Sequence, residues 1–131
     1  MLDGLRVLVV EDEVLIAADL AEIVGDAGAR VVGPCFSVKE ARQLIRDERI
    51  DAALLDVNLA DGDLTPLLEA LRARAVPVLV YTGGELPQRV RERHPDLTVL
   101  RKPLQPGRLL LELKRVTRQA DTHAVRQPHA G

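Results

Sequence analysis

Leu5-Arg6-Val7-Leu8-Val9-Val10-Glu11-Asp12 passes within one residue from an apolar run to a pair of acids. A strand with one wet face would alternate apolar and polar residues, and this run barely does. It reads as a strand buried on both sides, the habit of parallel sheets lying between helices. Just downstream, Ile16, Leu20, Ile23, Val24 and Ala27 recur at the spacing of an amphipathic helix, and Gly28 stands where that helix stops.

The same unit repeats along the chain. Arg30 to Gly33 is a short second strand, ended by Pro34. Ser37-Val38-Lys39-Glu40 has the form of a capping box, and Val38, Ala41, Leu44 and Ile45 carry a second helix. Asp51-Ala52-Ala53-Leu54-Leu55-Asp56 is a third strand, apolar until its last residue. Asp61-Gly62 marks a turn, and Leu64, Leu67, Leu68 and Leu71 stripe a third helix with Pro66 in its first turn. A fourth strand spans Pro77 to Tyr81, a short polar helix 85–94, and a fifth strand Leu97 to Leu100. Pro106 opens a last helix with Leu109, Leu113 and Val116 inward. Residues 1–120 are expected to form one domain and 121–131 a frayed tail. Five strands alternating with five helices predict an α/β fold of the flavodoxin-like, doubly wound kind. Its sheet is parallel, in the order 2-1-3-4-5, and ligands bind at the carboxyl ends of strands one and three.

Composition narrows the function. Of 131 residues, 47% are hydrophobic, so a core can form, but one Tyr, one Phe and no Trp supply no stacking platform for single-stranded nucleic acid. The charge is lopsided. Residues 1–63 carry 14 acidic and six basic side chains, and residues 64–131 six acidic and 12 basic. An acidic half and a basic half point to a cation site in one and a partner surface in the other. Cys35 stands alone, so no internal disulfide can form. No apolar run reaches the ~20 residues of a membrane span. Met1 to Leu5 lacks the charged start of an export signal, and the cytoplasm is the expected compartment.

The polar residues fall at the strand ends. Glu11 and Asp12 follow the first strand, Asp56 closes the third, Thr82 follows the fourth and Lys102 the fifth. Three carboxylates at one crevice repel one another, and a hard cation relieves them. Mg2+ suits such a set, with Asp12 and Asp56 as direct ligands, the backbone carbonyl of Asn58 as another, and Glu11 through water. Asp56 can then attack phosphorus while Lys102 and Thr82 meet phosphoryl oxygens. Singly, each residue has a plainer reading: acids favour helix starts, Thr82 fits turn chemistry, and Lys102-Pro103 alone is a weak signal. Their joint placement on consecutive crevice strands favours chemistry.

The segments Val7-Leu8-Val9-Val10-Glu11-Asp12-Glu13, Ala53-Leu54-Leu55-Asp56-Val57-Asn58-Leu59, Tyr81-Thr82-Gly83 and Lys102-Pro103 strongly resemble the receiver domains of two-component response regulators, from about Leu5 to Arg118. The resemblance implies Asp56 as phosphoacceptor, Glu11 and Asp12 as acidic metal pair, Thr82 as switch hydroxyl and Lys102 as phosphate-binding lysine. It also implies a Lys102-Pro103 bond that is cis in many relatives. One departure matters: Val99 stands three residues before the lysine, where most receivers carry Tyr or Phe. Tyr81-Thr82-Gly83-Gly84 is similar to a subfamily with a Phe-Ala-Thr-Gly-type strand ending, often single-domain receivers.

With only a short stretch after the last helix, a stand-alone receiver is expected, not an enzyme beyond its own phosphorylation and dephosphorylation. A histidine kinase or histidine phosphotransfer protein would donate the phosphate. The signal would leave by contact with a downstream protein, or the chain would serve as a phosphate sink or shuttle. Two other readings stay open. One is a phosphorylation-independent adaptor. The other is a magnesium-dependent phosphohydrolase, which commonly needs an Asp where Asn58 stands. Arg89, Arg91, Arg93, Arg101 and Arg108 form a basic face. Protein recognition or a homodimer through the fourth helix, fifth strand and fifth helix ranks there above nucleic acid.

Overall fold

The computed structural model describes residues 1–59 and 62–126; Asp61 of the expected turn and residues 127–131 of the expected tail lie outside them. In chain order the elements are β1 (Arg6–Val10), α1 (Val14–Asp26), β2 (Arg30–Cys35), α2 (Val38–Asp47), β3 (Ala52–Asp56), α3 (Thr65–Ala73), β4 (Val78–Thr82), α4 (Gln88–Arg93), β5 (Thr98–Arg101) and α5 (Pro106–Arg126). All strand pairs are parallel, and the sheet runs β2-β1-β3-β4-β5. This is the flavodoxin-like order that the alternation of elements predicts.

The pleat divides the core in two. Leu8, Val10, Ala53, Leu55 and Val80 pack against Ala41, Ile45, Leu67, Leu68, Leu71 and Val90 of α2, α3 and α4. Val7, Val9, Ala52, Leu54, Leu79 and Tyr81 pack against Leu20 and Val24 of α1 and Leu109 and Leu113 of α5. Every residue of β3 is buried, as expected for a central strand covered on both faces. Among the described residues no helix is long and apolar enough to cross a membrane.

Local chemistry explains most boundaries. Ser37 Oγ accepts from the Glu40 N–H at 3.1 Å, so the capping residue predicted for α2 is in place. Gly28, at φ +99°, ends α1 in the left-handed conformation. Asp63 accepts from both the N–H and the hydroxyl of Thr65 at the start of α3.

The second strand needs correction. It does not stop at Pro34 but runs on to Cys35. β2 is an edge strand, so the proline's missing N–H costs the sheet no ladder bond. The pairing with β1 slips between Leu8 and Val10, a bulge that absorbs Gly33, at φ +99°, and Pro34. Cys35 O then accepts from the Glu11 N–H at 2.9 Å, fixing the backbone where the acids begin. α4 is also shorter than its polar pattern implies, beginning only at Gln88 after Pro87. α5 continues to Arg126, beyond the expected domain end at 120.

Candidate functional site

Parallel register delivers the site. Val10 pairs with Leu55 and Asp56 with Tyr81, so β1, β3 and β4 end at nearly one level. The next residues of β1 are Glu11 and Asp12. Ligand oxygens of Glu11, Asp12 and Asp56 all lie within 4.8 Å of one another. Glu11 is fully buried and Asp56 is 2% exposed. Asp56 Oδ1 accepts from the Asn58 N–H at 3.0 Å, which orients the carboxylate. Asn58 itself is exposed, and that N–H ties its backbone to Asp56.

Lys102 closes the far side. Its Nζ lies 3.7 Å from Asp56 Oδ1 and 3.8 Å from Glu11 Oε1. Its backbone N–H donates to Thr82 O at 2.9 Å, holding β5 to β4 at the rim. The Lys102-Pro103 peptide bond is cis. Thr82 is buried, one step beyond Asp56 in register, and its hydroxyl accepts from the Gly84 N–H at 3.1 Å. All five predicted side chains therefore gather at the carboxyl ends of β1, β3, β4 and β5. Asp51, as expected, sits at the opposite end of β3, where it accepts from the Arg6 N–H at 2.9 Å.

The electrostatics are unbalanced without a cation. The Glu11 carboxyl is pushed up from 4.5 to about 8, first by burial and then by the neighbouring Asp56. Glu11 Oε1 is buried without a hydrogen-bond partner. A buried carboxylate oxygen with no hydrogen bond, beside two further acids, fits a hard divalent cation, whose charge removes both penalties.

A family model described as "Response regulator receiver domain" matches residues 7–114. The chain belongs to the response regulator receiver domain family. Among curated proteins it is 33% identical over 107 residues to the phyllosphere-induced regulator PhyR of Methylorubrum extorquens, covering 78% of this chain and 39% of that one. It is 33% identical over 91 residues to the transcriptional regulatory protein PdtaR of Mycobacterium tuberculosis, covering 66% and 44%. The chain thus spans less than half the length of the curated relatives it matches. Among solved structures, a CheY-like receiver domain protein from Methanospirillum hungatei is 25% identical with a TM-score of 0.82, covering 92% of this chain and 99% of that one. A receiver protein from Sinorhizobium medicae shares the fold at a TM-score of 0.79, with 19% identity and coverage of 92% and 99%.

Three further features bear on the site. Val99, where the resemblance leads one to expect an aromatic ring, is half-buried against the α2–α4 core. The basic face is largely engaged in the fold. Arg89 meets Asp63 and Arg93 meets Glu69, each at 2.9 Å; Arg108 lies 3.7 Å from Glu112, and Arg101 donates to Gly84 O at 3.3 Å. Tyr81 is the site residue that motif reading missed, since a strand tyrosine before Thr82 passes for core. The signal was its place in the alternation: it follows Leu79 by two and so shares a face with Asp56.

Proposed function

We propose that this receiver accepts a phosphoryl group on Asp56 from a phosphohistidine donor, a histidine kinase or a histidine phosphotransfer protein, with Mg2+ bound by Glu11, Asp12, Asp56 and the Asn58 carbonyl. The observation that carries the reading is the buried Asp56 carboxylate, within 4.8 Å of two further acids and 3.7 Å from the Lys102 ammonium. An Asp56 oxygen attacks phosphorus, the O–P bond forms as the donor's P–N bond breaks, and the imidazole leaves with a proton. Lys102 and the Thr82 hydroxyl meet the equatorial oxygens. The cation, when bound, neutralises charge on the acids and on the transferring group.

Beside the site, Ile16, Leu20, Ile23, Tyr81, Leu104 and Pro106 line an open groove of about 810 Å³ rimmed by Asp19, Glu22 and Asp26. The groove reaches Lys102 and supports donor docking against α1. Phosphorylation adds roughly two negative charges, draws on Thr82 and Lys102, and thereby shifts the β4–α4 and β5–α5 loops that follow them. Output is a protein contact or onward transfer of the phosphate. The chain catalyses no reaction beyond its own phosphorylation and dephosphorylation, and it acts in the cytoplasm.

Incubation with phosphoramidate or acetyl phosphate and Mg2+, followed by intact mass measurement, tests this. One phosphoryl mass is gained by the wild type and none by Asp56→Asn. An adduct that survives Asp56→Asn places the acceptor elsewhere, and no adduct with any donor favours the adaptor. Rapid turnover of a small phosphate ester would make the protein a phosphohydrolase.

A further inference from the structure

Tyr81 is fully buried and lies directly across from Asp56 in the sheet register. Alternation puts it on the α1–α5 side of β4. Two things about its side chain go beyond filling space. The first is its ring. The Lys102 ammonium stands 5.2 Å from the ring centroid, within range of a cation–π attraction. Lys102 reaches the two carboxylates only at 3.7 and 3.8 Å, longer than hydrogen bonds, so the ring is the surface on which the ammonium rests.

The second is its hydroxyl. Tyr81 Oη and Glu11 Oε1 are both buried, and neither has a hydrogen-bond partner among the described residues. Such orphans are uncommon in folded proteins. Here they are chemically complementary, a phenol that donates and a carboxylate that accepts. They also share surroundings: after burial itself, Glu11 and Asp56 are the charges that most strongly hold the phenol in its neutral, donating form. A phenylalanine would fill the same core without leaving a hydroxyl unpaired, so packing alone does not account for the oxygen.

We propose that Tyr81 is a positioning residue of the phosphorylation site, its ring face carrying the Lys102 ammonium and its hydroxyl donating to Glu11 Oε1 when that carboxylate turns toward Mg2+. The inference rests on the receiver reading above. It assigns two separable duties to one side chain, and two substitutions separate them. Tyr81→Phe keeps the ring and removes the hydroxyl. Tyr81→Leu removes both.

The chain has one tyrosine and no tryptophan, so tyrosine emission reports this site alone. In the wild type, emission changes with added Mg2+, and its midpoint matches the dissociation constant from calorimetry. Tyr81→Phe raises that constant by about tenfold, the worth of one hydrogen bond to a charged group, and raises half-saturation by phosphoramidate at saturating Mg2+ by less than Tyr81→Leu does. Tyr81→Leu raises both. Circular dichroism checks that each variant is folded. Wild-type Mg2+ affinity in Tyr81→Phe overturns the proposal. So does wild-type emission that ignores saturating Mg2+, an arm that needs no variant. A wild type that binds Mg2+ yet gains no phosphoryl mass overturns the receiver reading instead, and the Mg2+ constants of wild type and Tyr81→Phe still decide the role of Tyr81.

Discussion

Replacing Glu11 with Gln is expected to stabilise the magnesium-free protein, by an amount that grows with pH. The Glu11 carboxyl is raised from 4.5 to about 8 by burial and by Asp56. Below pH 4.5 it is protonated in the folded and the unfolded chain alike, and the two variants differ by nothing titratable. As pH rises past 4.5 the unfolded chain releases its proton while the folded chain holds it, up to about 8. Over that window the wild type loses roughly 1.4 kcal/mol per pH unit, an upper bound of about 3 kcal/mol at pH 7. Lys102, at 3.8 Å and 27% exposed, already lowers that value, and its exposure brings the cluster within reach of solvent screening, which trims the bound. We therefore expect about 2 kcal/mol at pH 7, from the order of magnitude of such a screened shift. Urea denaturation of both proteins in chelator at pH 5, 6, 7 and 8 measures it. The quantity to read is the growth of the difference with pH, because the amide's own packing cancels. A difference that stays flat across the series, or a Gln variant less stable at pH 8, would refute the reasoning. Saturating Mg2+ is expected to narrow the gap, since the cation stabilises the ionised wild-type carboxylate.

Two further perturbations test the frame around the site. Gly33 sits at φ +99°, and an added Cβ would meet Cys35 N at 2.7 Å, so Gly33→Ala is expected to cost about 2 kcal/mol in chemical denaturation; a loss near zero would mean that the β2 bulge relaxes freely. His94, at the end of α4, is buried with both ring nitrogens unpartnered, and burial, then Arg72, holds its basicity below the usual 6.5 despite Glu69 and Asp96. The folded chain therefore resists a proton that the unfolded chain accepts, so the contribution of His94 to stability falls as pH drops below 6.5. Thermal melts at pH 7.5 and 5.5 are expected to show the wild type losing ground to His94→Leu as pH falls, whatever Glu11 adds to both; a difference that does not change with pH would locate the proton elsewhere.

The strands, their order and the site were legible because one physical rule governs them. A strand covered on both faces must be apolar, and Val7 to Val10 and Ala52 to Leu55 are, until each run ends in an acid. That transition marked both the end of the strand and the place where the acids gather. The misread places are those where tertiary context overrides a local rule. Pro34 reads as a strand stop, yet an edge position asks no N–H of it. Ile16 and Ile23 pack against the core only in part and also line the groove, while Ala17, too small to stand out in the pattern, is fully buried. His94 reads as the polar end of a surface helix, yet it is buried beside α3 residues that are distant in sequence.

Sequences that specify one structure satisfy their buried polar groups, and exceptions concentrate where function requires them. Among the described residues, the buried side-chain atoms without a hydrogen-bond partner belong to three residues: Glu11, Tyr81 and His94. Two of the three sit in one cluster, at the ends of β1 and β4, around the carboxylate proposed to take the phosphoryl group. A chain shaped for stability alone would place Gln or Met at position 11 and Phe at 81, and lose nothing from its core. Keeping a buried acid whose proton is held to about 8, and a buried phenol across from Asp56, is destabilising until a cation and a phosphoryl group arrive. On the proposed function, the same strain gives a receiver with Val99 in place of an aromatic another route to a response. The response need not lie in a swinging ring. Charge that relieves Glu11 and draws Lys102 off the Tyr81 ring also acts on the backbone, because Lys102 N–H holds Thr82 O, Thr82 Oγ1 holds Gly84 N–H, and Gly84 O holds Arg101. A Lys102→Met variant breaks that link at its charged end while sparing the backbone bonds, which makes the β4–α4 loop the place to look for its effect.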